Sequence, residues 1–133
     1  MADRNLESGK NFAKGQVYLD FSFLTNNTSS PLTTTFRGGK EAIATVTYSA
    51  VGILIVTLAD KWRYVTAKAV DIEDLNSSDD GSYATIGAVQ NEGSSTTAPS
   101  FKVYTRVAAG TKTDFTGRRV SFQLVLKNST VGV

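Results

Sequence analysis

The carboxylates are densest at residues 71–82, DIEDLNSSDDGS, which bring Asp71, Glu73, Asp74, Asp79 and Asp80 close together. Hard oxygen ligands at this density could hold calcium. The spacing departs from an EF-hand. With Asn76 as the first ligand position, Ser78, Asp80 and Gly81 fall in register, but Gly87 stands where the bidentate glutamate belongs. A charge run of this kind is more commonly a solvated loop, so no metal site is expected here.

Two carboxylates across a cleft can also hydrolyse a glycosidic bond. The chain has no histidine and no cysteine, so acid–base work would rest on Asp, Glu, Lys or Tyr. The same absence excludes disulfides, imidazole or thiolate zinc ligation, cysteine nucleophiles and Ser/His/Asp arrangements. About half of the 12 acidic residues fall in the acidic loop or near the N-terminus, and Asp20 and Glu41 lie on or beside strands. No glycine pattern of the phosphate-cradling kind follows a strand and opens a helix. The expectation is a protein without catalytic residues, without a cofactor and without enzymatic activity.

Basic and aromatic residues alternate twice, at Lys61, Trp62, Arg63 and Tyr64, and at Lys102, Tyr104 and Arg106. On a strand, Lys102, Tyr104 and Arg106 share one face, which could stack single-stranded nucleic acid. A polar sheet face, or one contacting another protein, explains the same pattern. A charge of +2 from 14 basic and 12 acidic residues, spread along the chain, argues against a nucleic-acid partner. The longest apolar stretch, residues 51–58, is far short of the ~20 residues that span a bilayer, so no membrane partner is expected either. With a polar start and no cysteine, the expected site of synthesis is a reducing cytoplasm.

The elements that position these residues read as strands. Val17, Leu19, Phe21 and Phe23 alternate with polar neighbours, as do Phe101, Val103, Thr105 and Val107, and Val120, Phe122, Leu124 and Leu126. Residues 32–36, 42–49, 53–58, 62–70 and 83–90 complete about eight short strands, with a hairpin about residues 49–52. In residues 62–70 either face could be the core. The expected fold is all-β: one antiparallel β-sandwich, jelly-roll-like, over residues 16–133, preceded by a polar N-terminal arm over residues 1–15. Such a set of strands must close, split into two sheets, or pair its edges with another copy.

Two of these segments, residues 56–62 (VTLADKW) and 120–131 (VSFQLVLKNSTV), carry a resemblance. With them the chain resembles small β-rich virion structural proteins of tailed bacteriophages. In that group a glycine-started strand runs into an Asp-Lys-aromatic turn, and a last strand of the Leu-Val-Leu-Lys-Asn-Ser type closes the domain. Gly52 and residues 53–58 fit the first strand, Asp60 and Lys61 its turn, and residues 124–131 the last strand. The chain departs where Arg63 follows the aromatic in place of proline, and where Gly117, Arg118 and Arg119 lack the acidic residue of Gly-Asp-Arg.

The resemblance implies a capsid cement or decoration protein on the outer capsid surface, a homo-oligomer, trimer before dimer, clamping major capsid protein subunits. The alternative is a tail-associated receptor- or glycan-binding sandwich. A clamp needs contact surfaces, whose anchors are enriched in Trp, Tyr and Arg. The expected interface residues are therefore Trp62, Arg63 and Tyr64, together with Leu6, Lys10, Phe12 and Lys14 of the arm.

Overall fold

The structure, a computed structural model, describes residues 16–26, 37–38, 43–73 and 80–127. Alternation of apolar and polar residues dictates the seven strands seen among them. They are β1 (Gln16–Leu24), β2 (Ile43–Ala50), β3 (Ile53–Leu58), β4 (Tyr64–Ile72), β5 (Tyr83–Ile86), β6 (Ser100–Arg106) and β7 (Arg119–Lys127). They form two antiparallel sheets, one in the order β1-β7-β4 and one in the order β2-β3-β6-β5. The sheets face each other as a single β-sandwich, and the fold is all-β as the sequence predicts. Two connections, β2 to β3 and β5 to β6, stay within one sheet, and the other four pass between sheets.

Each sheet turns one alternate set of side chains inward. β1 and β7 contribute Leu19, Phe21, Phe23, Val120, Phe122, Leu124 and Leu126, while β2, β3 and β6 contribute Ile43, Val46, Leu54, Val56, Leu58, Phe101 and Val103. Phe122 is the centre of the aromatic packing. It stacks on Phe21 at 4.8 Å and on Phe23 at 5.9 Å within its own sheet, and meets the edge of Phe101 from the other sheet at 5.9 Å. Full burial of side chains of this size stabilises the fold by roughly 1.5–3 kcal/mol each.

Departures from regular pairing set the faces, and β2 shifts register against β3 twice, between Ile43 and Thr45 and between Tyr48 and Ala50. β4 shifts register against β7 between Ala67 and Ala69. This extra residue puts Val65 on the core side before the shift and Ile72 after it, although they differ in parity. The strand begins at Tyr64 and not at Trp62, because Trp62 precedes the ladder with β7. The strand expected over residues 83–90 is cut at Ile86. Gly87 still donates to Lys102 O at 2.9 Å, and Gln90 exchanges hydrogen bonds with Ser100, so one extra residue bulges between them. At the outer edge of β1, Ser22 and Arg37 exchange backbone hydrogen bonds of 2.9 and 2.8 Å. The strand expected over residues 32–36 and the arm over residues 1–15 lie outside the described residues. Among the described residues no helix is long and apolar enough to cross a membrane.

Candidate interaction face

The outer face of the four-stranded sheet is built by register. Ile55 of β3 lies opposite Lys102 of β6, Ile53 lies opposite Tyr104, and on the far side Thr85 and Tyr83 of β5 lie opposite Tyr104 and Arg106. Successive outward positions on β6 are therefore Lys102, Tyr104 and Arg106, flanked on one side by two isoleucines. None of the four strands of this sheet contains Asp or Glu. The three-stranded sheet, by contrast, carries Asp20 on β1 and Asp71 on β4.

Tyr104 organises this face. Its ring leans over Gly87, where a Cβ would come within 3.2 Å of Cε2 and 3.4 Å of the hydroxyl, so a larger residue there would have to displace the ring. The Arg106 guanidinium lies 5.5 Å from the ring centroid and the Lys112 ammonium 5.3 Å from it. Both are within the range of cation–π attraction. Lys112 reaches the ring because a turn carries the chain back onto β6: Val107 N–H donates to Thr111 O, and Lys112 bridges Arg106. Arg106 Nη1 donates to Gly110 O at 2.9 Å, which fixes that turn. Between Lys102 and Tyr104, over Gly87, Ala88 and Gln90, lies a groove of about 450 Å³.

Several carboxylates elsewhere accept from backbone N–H groups. Asp114 accepts from Gly52 N–H at 2.7 Å and from the Tyr48 hydroxyl at 3.0 Å. Glu92 accepts from Val65 N–H, Glu73 from Arg119 N–H and Asp71 from Ile72 N–H. Tyr48 is half-buried, and that desolvation, with the hydrogen bond and charge of Asp114, raises its phenol pKa above the ordinary value.

Asp80, of the loop expected to be solvated, is tied instead to Arg118. Arg118 is 7% exposed, and its Nη2 lies 2.6 Å from Asp80 Oδ2. Its Nη1 donates to Ser82 Oγ at 2.7 Å, and its guanidinium covers the Phe115 ring at 4.2 Å. The acidic loop thus has one anchored end. Asp74 and Asp79 lie outside the described residues, and among the described residues no three Asp or Glu side chains gather as metal ligands.

Of the residues expected at an interface, Trp62 is half-buried and packs against the core. Its Nε1 is buried with no hydrogen-bond partner among the described residues. Arg63 is exposed with its guanidinium 5.9 Å from the Tyr64 ring centroid, and Tyr64, half-buried, opens β4. Leu6, Lys10, Phe12 and Lys14 lie outside the described residues. The structure therefore keeps Trp62, Arg63 and Tyr64 next to each other, at the start of a strand in the other sheet from β6. Sequence reasoning identified the alternation at Lys102, Tyr104 and Arg106 but missed Lys112 and Gly87, which only the turn and the β5–β6 pairing bring to them.

Set against known protein families, characterised proteins and solved structures, the chain matches none.

Proposed function

We propose that this protein is a capsid cement or decoration protein of a tailed bacteriophage. On this reading it is made in the host cytoplasm, associates with copies of itself, trimers being favoured, and binds the outer surface of the head across seams between major capsid subunits. The likeness to phage virion proteins falls on residues 52–58, on the turn at Asp60 and Lys61, and on residues 124–131, and the described strands within it are inner ones. β3 lies between β2 and β6, and β7 lies between β1 and β4. The likeness is thus one of framework.

The observation that carries a binding role is the contrast in how charges are used. Asp71, Glu73, Glu92 and Asp114 accept from backbone N–H groups, whereas Lys102 and Lys112, with Arg106 that also donates to Gly110 O, stand with Tyr104 on an outward sheet face without an acidic residue on its strands. A domain that binds only the assembled shell stabilises it by mass action, and several linked copies multiply the effect.

Quantitative mass spectrometry of purified, tail-separated heads tests the proposal. The expected result is a copy number comparable with that of the major capsid subunit. Confinement of a few copies to tails would instead favour the receptor- or glycan-binding alternative, and absence from virions would overturn both.

A further inference from the structure

The outer face of β6 offers a repeat that a partner can read. Lys102, Tyr104 and Arg106 are alternate residues, so their side chains emerge at intervals of roughly 6.5–7 Å along the strand. The ammonium of Lys112 adds a further positive charge beside the middle of the row. Lys102 and Lys112 make no ion pair among the described residues, and the carboxylate nearest to Lys112 in sequence, Asp114, is occupied by Gly52 and Tyr48. Beside the cationic row runs the apolar pair Ile53 and Ile55, both half-buried. The ligand chemistry that complements this face is anionic at alternate positions and apolar between them or alongside.

An extended acidic protein segment has that chemistry, with Asp or Glu at every second position and the intervening side chains turned toward the isoleucines or away to solvent. A nucleic-acid strand matches it less well. Base stacking needs an open aromatic face, and the half-buried Tyr104 ring leans on Gly87 with Arg106 and Lys112 both within 5.5 Å of its centroid. Phosphates would also leave the isoleucines without a partner.

We propose that Lys102, Tyr104, Arg106 and Lys112 form a docking site for an extended acidic segment of a neighbouring protein. Resting on the capsid reading, the inference makes that neighbour a subunit of the shell and the β6 face the side turned toward it. Gly87 and the bulge after it keep the groove beside Lys102 open, and the turn fixed by Arg106 and Gly110 holds Lys112 in place.

The test uses the full chain and two probes of equal charge, a labelled peptide of alternating Glu and Val and an oligothymidylate. Peptide binding is expected at low salt, weakening as salt is raised. The double variant Lys102→Glu/Lys112→Glu is expected to lose at least about tenfold in affinity. It leaves the Arg106 to Gly110 hydrogen bond intact, and an unchanged melting transition confirms its fold. Lys61→Glu, at an exposed residue between β3 and β4 and outside the proposed site, is expected to bind as the parent does.

No peptide binding at low salt, or equal binding by parent and double variant, would overturn the proposal. Tighter binding of the oligothymidylate, abolished by the same two substitutions, would overturn it in favour of a nucleic-acid site. Head attachment separates this inference from the reading beneath it. A double variant that occupies heads as fully as the parent refutes the docking face alone, whereas absence of the parent from heads refutes the capsid role while the peptide titration still judges the face.

Discussion

Arg118 carries more of the structure than its neighbours in sequence suggest. Buried guanidinium is tolerated only when its donors are satisfied, and here Asp80, Ser82 and the Phe115 ring share that role. Its backbone also exchanges hydrogen bonds with Thr25, whose N–H donates to Arg118 O at 2.8 Å and whose Oγ1 accepts from Arg118 N–H at 3.1 Å. Asp80→Ala leaves the buried guanidinium without its counter-charge and is expected to destabilise the protein by roughly 3 kcal/mol. Arg118→Ala should lose a similar amount through lost packing on Phe115, although the Asp80 carboxylate it releases can hydrate. Urea unfolding of the two variants and of the double variant checks this, the double variant losing clearly less than the sum of the singles. The sequence shows Arg118 only within the run of Gly117, Arg118 and Arg119 ahead of the last alternating segment. It could not show burial, because the acceptor comes from a distant loop otherwise rich in solvated residues.

Strands were legible wherever one face is buried and the register is unbroken. β1, β6 and β7 show this directly, since Phe21, Phe101 and Phe122 each sit in a strict alternation that ends in the core. β4 was not legible in the same way. Its register shift between Ala67 and Ala69 makes Val65 and Ile72 core residues of opposite parity, so neither periodic face alone is correct. Part of the candidate face was legible, namely the alternation on β6. Lys112 and Gly87 were not, because their proximity to Tyr104 follows from a turn and from strand pairing. The β2–β3 hairpin was expected at residues 49–52, and Ala50 does lie opposite Ile53 across Val51 and Gly52. Gly52 adopts φ of 67°, and a Cβ there would lie 2.6 Å from Thr113 N and 2.8 Å from Thr105 O. Gly52→Ala therefore meets backbone on two sides as well as an unfavourable φ. The expected loss is more than about 1 kcal/mol, read as a lowered urea midpoint with an unchanged slope.

At the scale of the molecule, Asp114 ties this hairpin to the segment that precedes β7, through Gly52 N–H and the Tyr48 hydroxyl. The raised pKa of Tyr48 makes the tie dependent on pH. The folded chain holds the phenolic proton more tightly than the unfolded one, so the contribution is complete below the unfolded value of about 10 and is lost as pH rises through the folded value. Tyr48→Phe is accordingly expected to flatten the alkaline side of the stability profile. Urea unfolding of parent and variant between about pH 8 and pH 11 measures this, the difference between the two removing the titration of other groups. A further consequence lies in the order β1-β7-β4. β7 comes after both of its partners in the chain, and Ser22 and Arg119, joined by a 3.0 Å hydrogen bond, are 97 residues apart. During synthesis, β1 and β4 emerge from the ribosome with their shared partner still unmade, while the β2–β3 and β5–β6 hairpins can close as soon as each is out. The three-stranded sheet is thus a late product of folding. Until it forms, Phe21, Phe23 and Val65 are without their partner strand, which makes the nascent chain most prone to aggregation before β7 emerges.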